Sequence, residues 1–215
     1  IIIILSAPSG GGKTTISDRL LQDYPEIVYS VSCTTRRPRG EEEDGVDYHF
    51  ISPESFAKHL RDGHFLEHAR VHNHCYGTLF APLREALVEG HSVLLDIDVE
   101  GAAKIRSTLA SLPAQDPLRR VTLTDIFISP PSLEALRERL EARGEDDART
   151  SETRPRNADN EMQRAGEFRY RIINDDLDLA YREICAIIEH AGGICPEAAM
   201  HVNSASASPM HGGSS

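Results

Sequence analysis

The run Ala7-Pro8-Ser9-Gly10-Gly11-Gly12-Lys13-Thr14-Thr15 has the residue types and spacing to grip a phosphate chain. Small residues let backbone N–H groups turn inward around an anion, and a helix starting there adds positive potential. Lys13 is placed to reach the outer phosphates, and the Thr14 hydroxyl to ligate Mg²⁺. The strict pattern opens with Gly, so Ala7 adds one methyl group. A second chemical feature is Asp96, followed two residues later by Asp98, at the end of Val93-Leu94-Leu95. An acid at a strand's C-terminal end can hold the hydration shell of Mg²⁺, although it can equally cap a helix. A third is Arg36, Arg37 and Arg39 within four positions of an acidic chain. Guanidinium forks suit phosphate oxygens, and a solvated basic turn is the plainer alternative. From Glu141 to Arg169 arginines alternate with acids, as in a disordered loop or a lid over a nucleotide.

These groups need elements to hold them. Ile1-Ile2-Ile3-Ile4-Leu5 reads as a strand buried on both faces, and Ile16 and Leu20 mark a helix from about Thr14 to Tyr24, ended by Pro25. Strand, Gly-rich loop and helix are the context that a phosphate loop requires. Val28 to Ser32 and Asp47 to Ile51 read as short strands. Ser52-Pro53 opens a helix expected to turn Phe56 and Leu60 inward. The polar, aromatic-dotted stretch from Glu41 to Pro82 reads as an inserted lobe. A helix through Leu83 and Leu87 stops at Gly90, and a strand covers Val93 to Asp98. A helix follows over about Gly101 to Leu109, then a loop over Ser111 to Thr122. Further on come a strand at Asp125 to Ile128, a helix through Leu133, Leu136 and Leu140, and a strand at Tyr170 to Ile173. A final helix runs through Leu177, Tyr181, Ile184 and Ile188, and Ala191 to Ser215 reads as a mostly disordered tail.

At 215 residues the chain is one domain, or one domain with an inserted lobe. Its net charge of −11 argues against a general nucleic-acid or membrane-surface binder. No apolar run approaches the ~20 residues needed to span a membrane. The four cysteines form no C-x-x-C pair, which fits reduced thiols and a cytoplasmic chain. The sequence opens at Ile1, inside a core strand, so residues upstream are expected, with or without a targeting signal.

Several motifs recur in order. They are Ser6 to Thr14, Val31-Ser32-Cys33-Thr34-Thr35-Arg36-Arg37-Pro38-Arg39, Gly45-Val46-Asp47-Tyr48-His49-Phe50 and Phe65-Leu66-Glu67-His68-Ala69. Tyr76-Gly77-Thr78, Leu95-Asp96-Ile97-Asp98-Val99-Glu100-Gly101, Ile128-Ser129-Pro130-Pro131-Ser132 and Asn174-Asp175-Asp176 complete them, with Arg143-Gly144 and Arg154 eleven positions apart. Together they resemble the guanylate kinase family over about Ile2 to Ile188. The resemblance implies an α/β, phosphate-loop NTPase-like fold with a parallel central sheet. It implies a domain over 1–190, a GMP-binding lobe at about 33–82 and an arginine-bearing lid at about 141–165.

It also implies Mg²⁺-dependent transfer from ATP to GMP by a monomer. Ala7 to Thr15 and Asn174 would bind ATP, and Lys13, Arg139, Arg143 and Arg154 would surround the transferring phosphoryl group. Thr14 and Asp96 would serve the metal. Arg36, Arg39, Tyr48 and Tyr76 would hold the GMP phosphate, while Ser32, Glu67, Thr78 and Asp98 would read guanine. Carboxylates accept from the N1–H and N2–H₂ donors of guanine, and hydroxyls satisfy its O6; adenine would leave such a site mispaired. Cys75, the long 107–124 connection and Pro155 depart from the family pattern. Proline after Arg154 implies that a helix starts at about Pro155, with 144–153 non-helical. Two other readings compete: a non-catalytic phosphopeptide-binding module, and a kinase for another nucleoside monophosphate. Lys13 and Thr14 speak against the first, and Glu67, Thr78 and Asp98 discriminate the second.

Overall fold

The computed structural model describes residues 1–71, 73–142 and 153–192. Its central strand is β1 (Ile2–Ser6), every residue of which is buried. Side chains alternate across a strand, so a strand covered on both sides must be apolar throughout. Ile3 and Leu5 enter one core layer with Ile16, Leu20 and Ile184; Ile2 and Ile4 enter the other with Leu83, Ile105 and Phe127. β2 (Ile27–Tyr29), β7 (Ser92–Asp96), β8 (Leu123–Ser129) and β9 (Tyr170–Ile173) complete a parallel sheet in the order β2-β7-β1-β8-β9. The strand C-termini therefore share one edge, where loops collect a ligand.

Helices cover both faces. α1 (Lys13–Asp23) and α7 (Leu177–Gly192) lie together on one side. Tyr181, Ile184 and Ile188 form the buried stripe of α7, and each fully buried Ile contributes about 1.5–3 kcal/mol over leaving it exposed. The Tyr24 hydroxyl donates to Glu189 Oε1 (2.6 Å) and that of Tyr181 to Asp23 Oδ2 (2.6 Å), tying the two helices. α3 (Phe80–Val88) and α4 (Val99–Ser111) cover the other face.

Between β2 and α3 the chain leaves this sheet. β3 (Cys33–Thr34), β4 (His49–Phe50), β5 (Phe65–Val71) and β6 (His74–Leu79) form a second sheet in the order β4-β3-β6-β5. α2 (Pro53–Arg61) packs on it through Phe56, which stacks on Phe65 with ring centroids 4.4 Å apart. This second sheet falls within the stretch read as an inserted lobe and has its own small core of Cys33, Phe56 and Phe65.

Some boundaries differ. Leu60 is 44 % exposed rather than inward, because the lobe's small core is filled by Phe56 and Phe65. β7 stops at Asp96, since Asp98 already caps α4. α7 carries Ala191 and Gly192, where Gly192 abuts Ile1, so the helix extends two residues into the expected tail; 193–215 lie outside the described residues. α5 (Leu133–Ala142) and α6 (Thr153–Gln163) flank the expected lid. α6 starts two residues ahead of Pro155, leaving that proline in the first turn, where no intrahelical N–H bond is lost. Of the expected non-helical 144–153, Thr153 instead opens the helix, and 144–152 lie outside the described residues.

Candidate active site

The loop between β1 and α1 wraps tightly. Gly11 N–H donates to the Pro8 carbonyl (2.8 Å), and Gly12 takes φ +94°, a left-handed value that side chains resist. A Cβ on Gly12 would also lie 2.3 Å from Asn174 Nδ2. Ala7 fits without strain: its methyl group is buried in the core layer beside α1.

Asn174 follows β9 and is only 4 % exposed. Its Nδ2 donates to the Gly11 carbonyl (2.9 Å) and its backbone N–H to Ser129 O (2.7 Å). Arg139 of α5 donates in turn to the Asn174 carbonyl (2.9 Å). The side chain expected near adenine is thus spent on bracing the phosphate loop, and Arg139 braces the brace. Arg143 lies outside the described residues, and Arg154 stands in the first turn of α6.

Lys13 ion-pairs with Asp96, both about one-fifth exposed. Thr14 and Asp96 line one cavity of about 670 Å³ with Asp18, Tyr29 and Tyr48. A hydroxyl and a carboxylate are the hard oxygen donors that Mg²⁺ prefers, so these residues fit that ion.

A second cavity, about 290 Å³, is lined by Ser32, Tyr48, Glu67, Tyr76, Asp96 and Asp98 among others. Five of the residues expected at the GMP site, Ser32, Tyr48, Glu67, Tyr76 and Asp98, thus line one cavity, and buried Thr78 bonds to Glu67 beside it. The Thr78 hydroxyl donates to Glu67 Oε1 (3.0 Å) and lies 3.4 Å from Ser32 Oγ. Burial raises the Glu67 carboxyl above the usual range, and Asp98 adds to the effect against the Thr78 bond. Asp98 accepts from Gly101 N–H (2.7 Å) as the cap of α4. The same residue therefore caps a helix and lines the cavity.

The basic segment is more committed than its sequence suggests. Arg36 is 7 % exposed and makes a bidentate pair with Glu42 (2.7 and 2.9 Å), lying 5.3 Å from the Tyr48 ring centroid. The pair raises the Arg36 guanidinium and holds Glu42 down at about 2. Arg39 offers its backbone N–H to Glu42 (2.7 Å) and stays exposed. Tyr48 and Tyr76 meet edge to face with centroids 5.9 Å apart.

One perturbed acid escaped the sequence reading. Burial pushes the carboxyl of Glu161, on α6, up to about 7, with the charge of Lys13 opposing the rise and that of Asp98 adding to it. A signal existed: Ala158 and Ala165 are buried, so position 161 lies along the inward stripe of α6. An acid raised on folding stabilises the fold below its unfolded value of about 4.5 and loses that contribution as pH rises through about 7. Glu161→Gln is therefore expected to flatten the decline of unfolding free energy across that window. Denaturant titrations at stepped pH check it; parallel curves for parent and variant would show a solvated carboxyl.

A family model described as Guanylate kinase matches residues 2–191. The chain is 46 % identical over 187 residues to the guanylate kinase of Nitratidesulfovibrio vulgaris, covering 86 % of this chain and 84 % of the relative. It is 40 % identical over 220 residues to that of Anaeromyxobacter dehalogenans, covering 99 % and 93 %. The crystal structure of guanylate kinase from Anaplasma phagocytophilum superposes with a TM-score of 0.68 at 29 % identity, covering 96 % of this chain and 94 % of that one.

Proposed function

Because this chain belongs to the guanylate kinase family, we propose that it transfers the γ-phosphoryl group of ATP to GMP, giving ADP and GDP. One observation carries the reading: Asp96 lines both the cavity walled by Glu67 and the cavity holding Thr14. Acceptor and donor sites therefore meet at the C-terminal end of β7. In this reading the phosphate loop cradles the ATP phosphates with its backbone N–H groups, and Lys13 leaves Asp96 to follow the transferring group. Thr14 and Asp96 would hold Mg²⁺, which supplies neutralisation of the phosphate charge when bound. Arg36, Arg39, Tyr48 and Tyr76 fix the GMP phosphate, with phosphate oxygens replacing Glu42 on Arg36. Ser32, Glu67, Thr78 and Asp98 read the base. Little covalent work is needed; alignment and charge stabilisation carry the rate.

The lobe at about 33–82 and the lid at about 141–165 would close over the pair and exclude water. Free Cys33, Cys75 and Cys185 support a reducing, cytoplasmic setting, and we take the working unit to be a monomer. A coupled assay of ADP release with GMP, AMP, CMP and UMP tests the reading. GMP should support turnover far above the other three. Equal rates for GMP and AMP would remove the base-reading role, and no turnover with any of them would favour the phosphopeptide module.

A further inference from the structure

On the far side of the lobe the turn that ends α2 holds two imidazoles together. Gly63 N–H donates to Leu60 O (3.2 Å) and His64 N–H to His59 O (3.0 Å), with Gly63 at φ +69°. This bonding closes a helix by the Schellman pattern, which sets the third-last helical side chain beside the second one past the cap. An apolar contact usually fills that place. Here it is His59 and His64, with Nδ1 atoms 3.0 Å apart. The arrangement is anchored at both ends: the His59 ring packs edge-on against Phe65 (6.0 Å), and Phe80 N–H donates to the His64 carbonyl (2.9 Å).

Two nitrogens held ~2.0–2.1 Å from one metal ion stand about 2.9 Å apart at a right angle and about 3.3 Å apart at a tetrahedral one. A separation of 3.0 Å falls within that span. The carbonyl end of α2 adds negative potential where a cation would sit. The pair borders a cavity of about 420 Å³, lined also by Leu79, Phe80 and Arg84, that shares no residue with the two cavities of the active site. The Arg84 charge is taken up by a bidentate pair with Asp116 (2.7 and 3.0 Å).

We infer that His59 and His64 chelate a divalent transition-metal ion of the imidazole-preferring class, such as Ni²⁺, Cu²⁺ or Zn²⁺, at a site separate from the Mg²⁺ position. Without metal, one Nδ1 must donate to the other. On chelation that ring shifts its proton to Nε2 through solvent, and both Nδ1 lone pairs face the ion. Among the described residues no third His, Cys, Asp or Glu completes a cluster, so solvent fills the remaining positions and the site is open. Its effect is to clamp the end of α2 to the start of β5, the strand that carries Glu67. Protonation of either ring breaks the chelate, so binding weakens in acid.

Calorimetric titration of the full chain with Ni²⁺, in buffer already containing Mg²⁺, tests this. Ni²⁺ avoids the thiol redox chemistry that Cu²⁺ invites. One high-affinity Ni²⁺ per chain is expected, weakened about tenfold or more by His59→Ala or by His64→Ala. Ni²⁺ should also raise the melting temperature of the parent and leave the double variant unmoved. GMP turnover in the two variants should match the parent, which shows that they fold. Absence of Ni²⁺ binding in the parent, or equal binding by the double variant, would reduce the pair to a hydrogen-bonded turn.

Discussion

Lys13→Met is expected to lower GMP turnover by about 10²-fold or more while leaving the fold in place. In the proposed reading the attraction of Lys13 for the transferring phosphoryl group strengthens as negative charge develops there, so removing it costs rate more than substrate binding. The fold should survive because Asp96, which loses its ion-pair partner, is already one-fifth exposed and opens onto two cavities. A fully buried pair would leave a stranded charge worth several kcal/mol; a cavity-rim pair is relieved by water. Steady-state kinetics with ATP and GMP, alongside thermal melts, check both halves. Turnover within threefold of the parent would remove Lys13 from the phosphate site.

Glu67→Gln should separate function from stability in opposite directions. Glu67 is 8 % exposed, and burial raises its carboxyl, so ionising it in the folded protein costs more than in the unfolded chain. A folded-state value above the unfolded one means that stability is present at low pH and lost as pH rises through the folded value. The neutral amide of equal shape lifts that cost, so the variant should melt at or above the parental temperature near pH 7. Its action on GMP should fall by about 10²-fold or more. The amide has one acceptor oxygen, which Thr78 already donates to at this position, and its NH₂ would confront the donors of guanine. The Michaelis constant for ATP should scarcely move. Equal loss for both nucleotides, or a lowered melting temperature, would make Glu67 a structural residue.

Much of this site was legible because its chemistry is contiguous. Ile2 to Leu5, the Gly-rich run and Ile16 with Leu20 make strand, loop and helix within one stretch of chain. The local rules of strand burial, turn glycine and helix period act over just that range. The residues proposed to read guanine were picked out for a different reason: motifs spread over the chain matched a family pattern, and no local rule would have joined Ser32 to Asp98. Tertiary structure decided the rest. Asn174 meets Gly11 across 163 residues of sequence, and nothing in the local pattern of Asn174-Asp175-Asp176 announces a brace. Arg36 reads as a free basic side chain until Glu42 folds back onto it. Glu161 becomes an unusual acid only when folding buries it on α6, and the Lys13 charge offsets part of that effect. Leu60 follows the apolar spacing of α2 and is still exposed, because Phe56 and Phe65 already fill the space beneath. Dihedral preferences and side-chain periods are short-ranged and can be read along the chain. Which polar groups are desolvated together, and which apolar positions find room, depends on long-range packing that exists only once the two sheets and their helices have closed.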